Sequence, residues 1–431
     1  MRTHDFDKVF GQAFFKKLVG VWGQSPHGFI FSHYNFLHKG VIILQLSRNV
    51  LNLKASTTLA IAAKTKQLIA SGVDVVDFTV GEPDSDTPGN IKQAAIDAIN
   101  GNFTRYTDVA GVYDLRSVIC DKLRADNGLS YEPGQIIVSN GAKQALSNAF
   151  FAILNPGDEV IVPVPYWVSY PQMVYAAGGV PVFVDTLGSD FVGAIKGAIT
   201  AKTKAIIVNT PSNPSGRVLT ESELSQIAEL AISNDLIIIS DEIYERLVFD
   251  QDAPHISIVS LGEEIADRTI LVNGLSKSYA MTGWRIGYSA SNTDIARVLS
   301  YLQGHCQGNT NSITQKAAIE ALAGSQDSVR NMVASLRKRR DYVVKRLKNI
   351  PGFDFVYPQG GLSVFVGISG LLGGHIKNGN DFAEALLNSQ NISLVPGTDF
   401  GSDKHIRISF ATSMERIVEG FDRIETFLKG C

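Results

Sequence analysis

The stretch "RTILVNGLSKSYAMTGWRIGYSAS", residues 268–291, sets two apolar runs of strand length around a polar segment. "TILVN" and "RIGYSAS" lack a helical period, and both read as strands. Asn273 and Gly274 form an Asn-Gly pair, a turn signal, so the chain is expected to leave its sheet there. It then places Lys277 between two serines and reaches Arg285 eight residues later. Outward from this stretch, similar runs recur in "QIIVSN", "EVIVPVP", "VPVFVD", "KAIIVN" and "LIIIS", which makes seven. The segments between them have helical periodicity, and one opens with the capping box of Thr220 and Glu223. This alternation predicts an α/β fold with one large, mainly parallel seven-stranded sheet between helices.

Upstream, "STTLAIAAKTKQLIASG" reads as a helix ending on Gly72, and the strand-like "VVDFTVG" follows. After Ser325 the pattern changes to a long charged helix, "SVRNMVASLRKRRDYVVKRLKN", then shorter strands and two more helices. The expected organisation is a large domain over residues 85–325 and a smaller α+β domain over 326–431. Residues 51–84 return to pack on the smaller one. Residues 1–50 are expected to be a poorly ordered extension, with a segment 1–40 foreign to the natural product as the alternative reading. Residues 1–40 hold nine of the 38 aromatic residues and four of the eight histidines, but at a spacing too irregular for a metal site. No metal is expected.

Hydrophobic residues make up 45% of the 431, charged residues 19%, and the net charge is −3. These values describe a globular protein with no general electrostatic case for nucleic acid or an anionic membrane. Cys120, Cys306 and Cys431 stand far apart, as free thiols of a reducing, cytoplasmic compartment would. No run is long enough to span a membrane. Neither G-x-G-x-x-G nor the phosphate-loop pattern is present, which removes the usual support for a nicotinamide or nucleoside triphosphate enzyme.

In open α/β sheets ligands bind where strands end, so the polar residues just past each run belong together. They are Asn140, Gly141, Ala142 and Lys143; Tyr166 and Trp167; Asn213; Asp241 and Tyr244; and Lys277. The inventory suits pyridoxal 5'-phosphate. A lysine near other positive charge can keep a free amine for a Schiff base. A carboxylate can hold the pyridine nitrogen protonated. Backbone amides at a helix start, with a fork-shaped arginine, can bind a phosphate. An indole can stack on the ring.

From about Leu53 to Leu428 the chain resembles the class I, fold-type I aminotransferases, nearest the bacterial aspartate aminotransferases. The matching stretches are "FTVGEPDSDTP", "YTDVAG", "SNGAKQAL", "PYWVSYP", "NTPSNPSG", "SDEIYE", "LSKSYAMTGWRIGY", "VPGTDFG" and "HIRISFATS", in family order. The resemblance implies transamination of aspartate with 2-oxoglutarate by ping-pong kinetics, with Lys277 as the aldimine lysine and the base. It implies that Asp241 pairs with the pyridinium nitrogen, Tyr244 and Asn213 hold the phenolic oxygen, and Trp167 stacks on the ring. Gly141, Ala142, Ser276 and Arg285 surround the phosphate, joined by the partner subunit's Tyr106 in an obligate homodimer. Arg407 grips the substrate α-carboxylate, assisted by Gly81 and Asn213. Lys143 reaches the distal carboxylate of a dicarboxylic substrate. The chain departs from the family at Gly360-Gly361-Leu362-Ser363, where Gly-Ala-Phe-Tyr is frequent, and at Gly274, where some relatives carry a serine.

On local sequence alone, blander readings exist. Lys277 could be a solvated charge, Asp241 a cap for a helix over "EIYERL", and Asn213 a turn residue. Trp167 could be a packing aromatic, Arg285 a surface ion pair, Arg407 the solvent side of a strand, and Lys143 a neutraliser of phosphate. Alternative functions are a prephenate, aromatic or alanine aminotransferase of the same subgroup, a β-lyase using the same cofactor, or a transcription regulator. The last lacks a segment suited to a helix-turn-helix.

Overall fold

The computed structural model describes residues 47, 51, 53 and 57–430, apart from 189 and 251. The expectations for the N-terminal extension, its histidines and Cys431 lie outside the described residues. A short strand, β1 (Val76–Asp77), precedes the main sheet. That sheet contains β2 (Ile136–Ser139), β3 (Glu159–Val164), β4 (Val180–Asp185), β5 (Thr203–Asn209), β6 (Ile237–Asp241), β7 (Thr269–Gly274) and β8 (Gly287–Ala290). These are the seven runs legible in the sequence. Their order is β2-β8-β7-β6-β5-β3-β4.

All neighbours in this sheet are parallel except at β8, which is antiparallel to both β7 and β2. Two reversals restore direction, so β2 runs with β7. Consequently β2, β3, β5, β6 and β7 all end at one edge, and β8 begins there. Side chains alternate between two covered faces. Ile206, Val208 and Ile238 pack with Leu224, Ile227 and Ala231 of the helix Glu221–Ser233. Ile207, Ile239, Ile270 and Val272 pack with Leu146, Ala149 and Phe150 of the helix Ala142–Ile153 on the other side. Fully burying each large aliphatic side chain contributes roughly 1.5–3 kcal/mol, which holds the strand ends in register.

The Asn273-Gly274 pair is not the exit from the sheet. Both residues remain in β7, opposite Tyr288 and Gly287. Glycine serves close strand approach here, because a Cβ on Gly274 would lie 3.0 Å from the Gly287 Cα. The chain turns away only from Leu275 onward.

The second sheet is antiparallel and built from β9 (Asp354–Phe355), β10 (Ser363–Gly367), β12 (Val395–Pro396) and β13 (His405–Ser409). Its order is β12-β13-β10-β9, while β11 (Ile392–Ser393) pairs with β1 in parallel. The helices Asp327–Lys348, Gly379–Gln390 and Met414–Lys429 accompany it. The helix Thr57–Ala70 touches β11 through a 2.6 Å hydrogen bond between the Thr65 and Ser393 hydroxyls. Buried Arg340 ties the long helix back to the loop after β6, forming an ion pair at 2.7 Å with the partly buried Asp250. Cys120 and Cys306 are free thiols. No helix among the described residues is long and apolar enough to cross a membrane.

Candidate active site

Register explains why distant residues meet. Ser139, Gly274 and Gly287 face one another across β2, β8 and β7. Asn140 and Gly141 follow Ser139, Lys277 follows Gly274, and Arg285 precedes Gly287, so all converge on the same sheet edge. The loop between the lysine and the arginine is unusual in backbone: Ala280 and Arg285 have φ of 50° and 55°, values that non-glycine residues rarely adopt. Neighbours hold it there. Thr87 donates its hydroxyl to the Ala280 carbonyl at 2.6 Å, and Arg285 Nη1 donates to the Thr282 carbonyl at 2.8 Å.

Gly141 opens the helix Ala142–Ile153 with φ of 83° and no side-chain cap. The first helical amides are therefore available to an anion. Arg285 lies directly against this turn, with Nη2 3.3 Å from the Asn140 carbonyl, and a Cβ on Gly141 would collide with the guanidinium. A Cβ on Gly287 would likewise collide with the Ala142 nitrogen. Ser276 is buried on the adjoining turn. Tyr106 is 98% exposed on this chain.

Lys277 is half-buried, and its Nζ donates to the Gly81 carbonyl at 2.6 Å. The low polarity around its amine pushes the pKa down to about 8, Glu82 opposes this, and Arg407 and Arg285 add to it. About a tenth is then free amine at pH 7, and the bond to Gly81 with the desolvation of the amine sets it apart from a solvated surface lysine. Asp241 ends β6 and is 3% exposed. Its Oδ2 accepts the Tyr170 hydroxyl at 2.7 Å, and its Oδ1 accepts the Ile243 amide at 3.2 Å. Burial raises its carboxyl to about 6, although both donors favour the charged form. Turns rather than a helix follow Asp241, so the helix-cap reading fails. Tyr244 is buried beside Asp241 and Arg407, and burial raises its phenol.

Asn213 is a turn residue whose amide donates to Asn209 Oδ1 at 2.9 Å, while its own Oδ1 is buried without a partner. Trp167 lies edge-on to Tyr170, and Lys143 Nζ sits 5.0 Å from the Trp167 ring centroid. Burial and the charge of Arg285 lower the Lys143 pKa. Arg407, on β13, is 5% exposed rather than solvent-facing. Its Nη2 donates to the Thr79 carbonyl at 2.7 Å, its Nε has no partner, and burial lowers its pKa.

One segment, residues 79–87, joins the two groups. It receives Arg407 at Thr79 and Lys277 at Gly81, and Thr282 donates to Glu82 at 2.5 Å. An uncapped helix start with an adjacent arginine could hold a phosphate. The carboxylate of Asp241 could face a basic ring nitrogen, and the depressed lysine could meet an aldehyde. The buried, unpartnered Asn213 Oδ1 and Arg407 Nε offer polar contacts to a ring substituent and a carboxylate.

The sequence model of aminotransferase class I and II matches residues 73–424, most of the chain. The chain belongs to this aminotransferase family. A relative named aspartate aminotransferase, from Bacillus sp. (strain YM-2), is 45% identical over 392 residues, which is 89% of this chain and 99% of the relative. A probable aspartate/prephenate aminotransferase from Aquifex aeolicus is 43% identical over 393 residues, covering 89% and 98%. Among solved structures, aspartate aminotransferase from Thermus thermophilus with maleate superimposes with a TM-score of 0.84 at 39% identity, covering 89% of this chain and 100% of that one.

The aminotransferase fold also places residues that the sequence reading did not single out. Tyr170 and Asn209 flank Asp241, the latter donating to the Asp241 carbonyl at 2.9 Å. Gln303 is fully buried behind the phosphate-like cradle. It accepts from Ser139 at 2.6 Å and donates to the Val109 and Val138 carbonyls, each at 2.8 Å. Its signal was present: a polar residue continues the buried spacing of Ala296 and Leu299 on its helix. Glu242, Glu245 and His255 also cluster nearby. Ser240 and Ser257 donate to Glu242, Lys122 pairs with Glu245, and His255 Nε2 lies 3.0 Å from Glu242 Oε2, while the His255 Nδ1 is buried without a partner.

Proposed function

We propose that this aminotransferase uses pyridoxal 5'-phosphate to transfer the amino group of L-aspartate to 2-oxoglutarate, giving oxaloacetate and L-glutamate. The observation that carries the reading is a pair of cations suited to two carboxylates. Arg407 is buried with an unmet Nε, and Lys143 stands over Trp167. Arg407 takes the α-carboxylate as a fork, assisted by Gly81 and Asn213. Lys143 takes the distal carboxylate. Maleate, held by the Thermus thermophilus structure, is a compatible dicarboxylate.

When bound, the cofactor supplies an aldehyde for amino-group exchange and an electron-withdrawing ring that stabilises a carbanion. Gly141, Ala142, Ser276 and Arg285 hold its phosphate, with the partner subunit's Tyr106 in a homodimer whose sites are shared. Asp241 holds the proton of the ring nitrogen, Asn213 and Tyr244 hold the phenolic oxygen, and Trp167 covers the ring. Lys277 is the catalytic residue. Its free amine takes the proton from the substrate Cα and holds it for return. A large domain over residues 85–325, a small domain over 326–431 and a linking segment over 51–84 belong to the same proposal, as does a cytoplasmic setting.

A second reading, prephenate as an additional amino acceptor, is favoured by the aspartate/prephenate relatives. The departure at Leu362 and Ser363 bears on it. Leu362 is buried in the core and Ser363 donates to the Pro214 carbonyl, so neither supplies an aromatic wall. The test is a half-reaction panel read by cofactor absorbance, offering aspartate, glutamate, alanine, phenylalanine and β-chloroalanine. Aspartate and glutamate should react fastest. Faster reaction with alanine or phenylalanine overturns the substrate assignment, and release of pyruvate with ammonia from the chloro compound points to a lyase.

A further inference from the structure

We infer that Tyr170 sets how tightly this enzyme holds its cofactor, by donating its hydroxyl to the carboxylate that would face the cofactor ring nitrogen. The inference rests on the proposed pyridoxal phosphate site and assigns a positioning residue within it. Tyr170 is the first residue of the helix Tyr170–Ala176 and is 2% exposed. From there it reaches 71 residues along the chain to Asp241, and the 2.7 Å bond is buried at both ends. Its ring also meets Trp167 edge-on, at 5.4 Å between centroids and 81° between planes. One side chain therefore braces both the group beneath the ring nitrogen and the group expected to cover the ring.

The geometry gives the hydroxyl a specific task. Asp241 is held by one donor on each oxygen, the Ile243 amide on Oδ1 and Tyr170 on Oδ2, which fixes the rotation of the carboxylate. Burial works against ionisation of Asp241 and the neighbouring Glu242 adds to that, while Tyr170, the Ile243 amide and Lys277 oppose it. Burial and Asp241 itself keep the Tyr170 phenol protonated. Tyr170 is thus a permanent donor to a carboxylate that must remain charged to bind a protonated ring nitrogen. Glu242 has its own partners in Ser240, Ser257 and His255, so it does not compete for the hydroxyl.

Tyr170→Phe removes the donor and preserves the ring that meets Trp167, so it separates hydrogen bonding from packing. Pyridoxal phosphate would be titrated into cofactor-free protein and followed by tryptophan fluorescence. The four proteins are the parent, Tyr170→Phe, Asp241→Asn and the double variant, with thermal melting of each cofactor-free protein as the check on folding. Tyr170→Phe should weaken cofactor binding about ten-fold, the usual scale for losing a hydrogen bond to a charged group. The loss should deepen as the pH falls toward 6, where the unsupported carboxyl takes up its proton. In the Asp241→Asn background the same change should cost less than about two-fold, because the charged acceptor is gone. Unchanged affinity in Tyr170→Phe overturns the inference, and so does an equal loss in both backgrounds, which would assign Tyr170 to packing alone. Failure of the parent protein to bind pyridoxal phosphate would instead remove the cofactor reading itself.

Discussion

Asp241 and Arg407 are both charged and both nearly removed from solvent, yet the protein surrounds them differently. Each oxygen of Asp241 receives a donor from the chain. Arg407 makes one bond, to the Thr79 carbonyl, and leaves its Nε unmet. A buried donor without a partner costs about 1–3 kcal/mol, and an arriving carboxylate that bonds the guanidinium recovers it. The two halves of the site also have different origins. Lys277, Asp241 and Arg285 stand at the edge of the large sheet, whereas Arg407 comes from a strand of the second sheet. The segment 79–87 connects them. Under the proposed assignment, the carboxylate that faces the cofactor is held by the chain in advance, and the arginine that meets the substrate keeps an open valence for the ligand that changes with each turnover.

The largest way to break this contrast is at its centre. Lys277→Ala removes the only group assigned to move the proton, and the aspartate half-reaction followed by absorbance should slow by roughly 10⁴-fold. Retention of more than a tenth of the parent rate would refute that assignment. Next, Arg407→Lys replaces a planar fork with a point charge. It should lower kcat/KM for every amino acid by about 10²-fold while leaving pyridoxal phosphate affinity within about two-fold. A parallel loss of cofactor affinity would show that the two halves are not separable.

Lys143→Ala sharpens the contrast within the substrate half. Aspartate should lose about 30-fold in kcat/KM, the scale of one charge-assisted bond, while alanine is unchanged. An equal loss for both substrates would assign Lys143 to the phosphate. The smallest effect is thermal. Burial holds the Asp241 carboxyl at about 6 against an ordinary 3.8, so between these values the folded chain binds a proton that the unfolded chain does not. That stabilisation is present below about pH 4 and fades as the pH rises through 6. Relative to the cofactor-free parent, the melting temperature of Asp241→Asn should therefore climb by a few degrees between pH 4 and 6. A flat difference across that range would show that Asp241 is not the titrating group.

The seven strands of the large sheet were legible because each is a short apolar run bounded by polar residues, and burial on two faces demands that pattern. The capping box of Thr220 and Glu223 was legible for a similar local reason, and its reciprocal bonds are present. Asn273 and Gly274 misled, because a pair that favours turns also permits the close strand contact found at Gly287. Arg407 could not be placed from its neighbours alone. Alternation in "HIRISF" puts it on one side of a strand, but only the packing of Phe400 and the Thr79 carbonyl decides that this side is buried. Tyr170 was visible inside "PYWVSYP" without any sign that its hydroxyl would reach Asp241.

Local order along the chain determined the strands, the helix starts, and which polar residues fall at strand ends. These depend on hydrogen-bond periodicity and on the spacing of apolar side chains, both of which act within a few residues. Tertiary structure alone decided that β8 reverses between β7 and β2, which brings Arg285 back against Gly141. It also decided how buried charges are partnered: Asp241 by a tyrosine 71 residues away, and Arg407 only in part, by a carbonyl 328 residues away. Desolvation depends on everything that packs around a group, and contacts of that sequence separation leave no periodic trace in the chain that forms them.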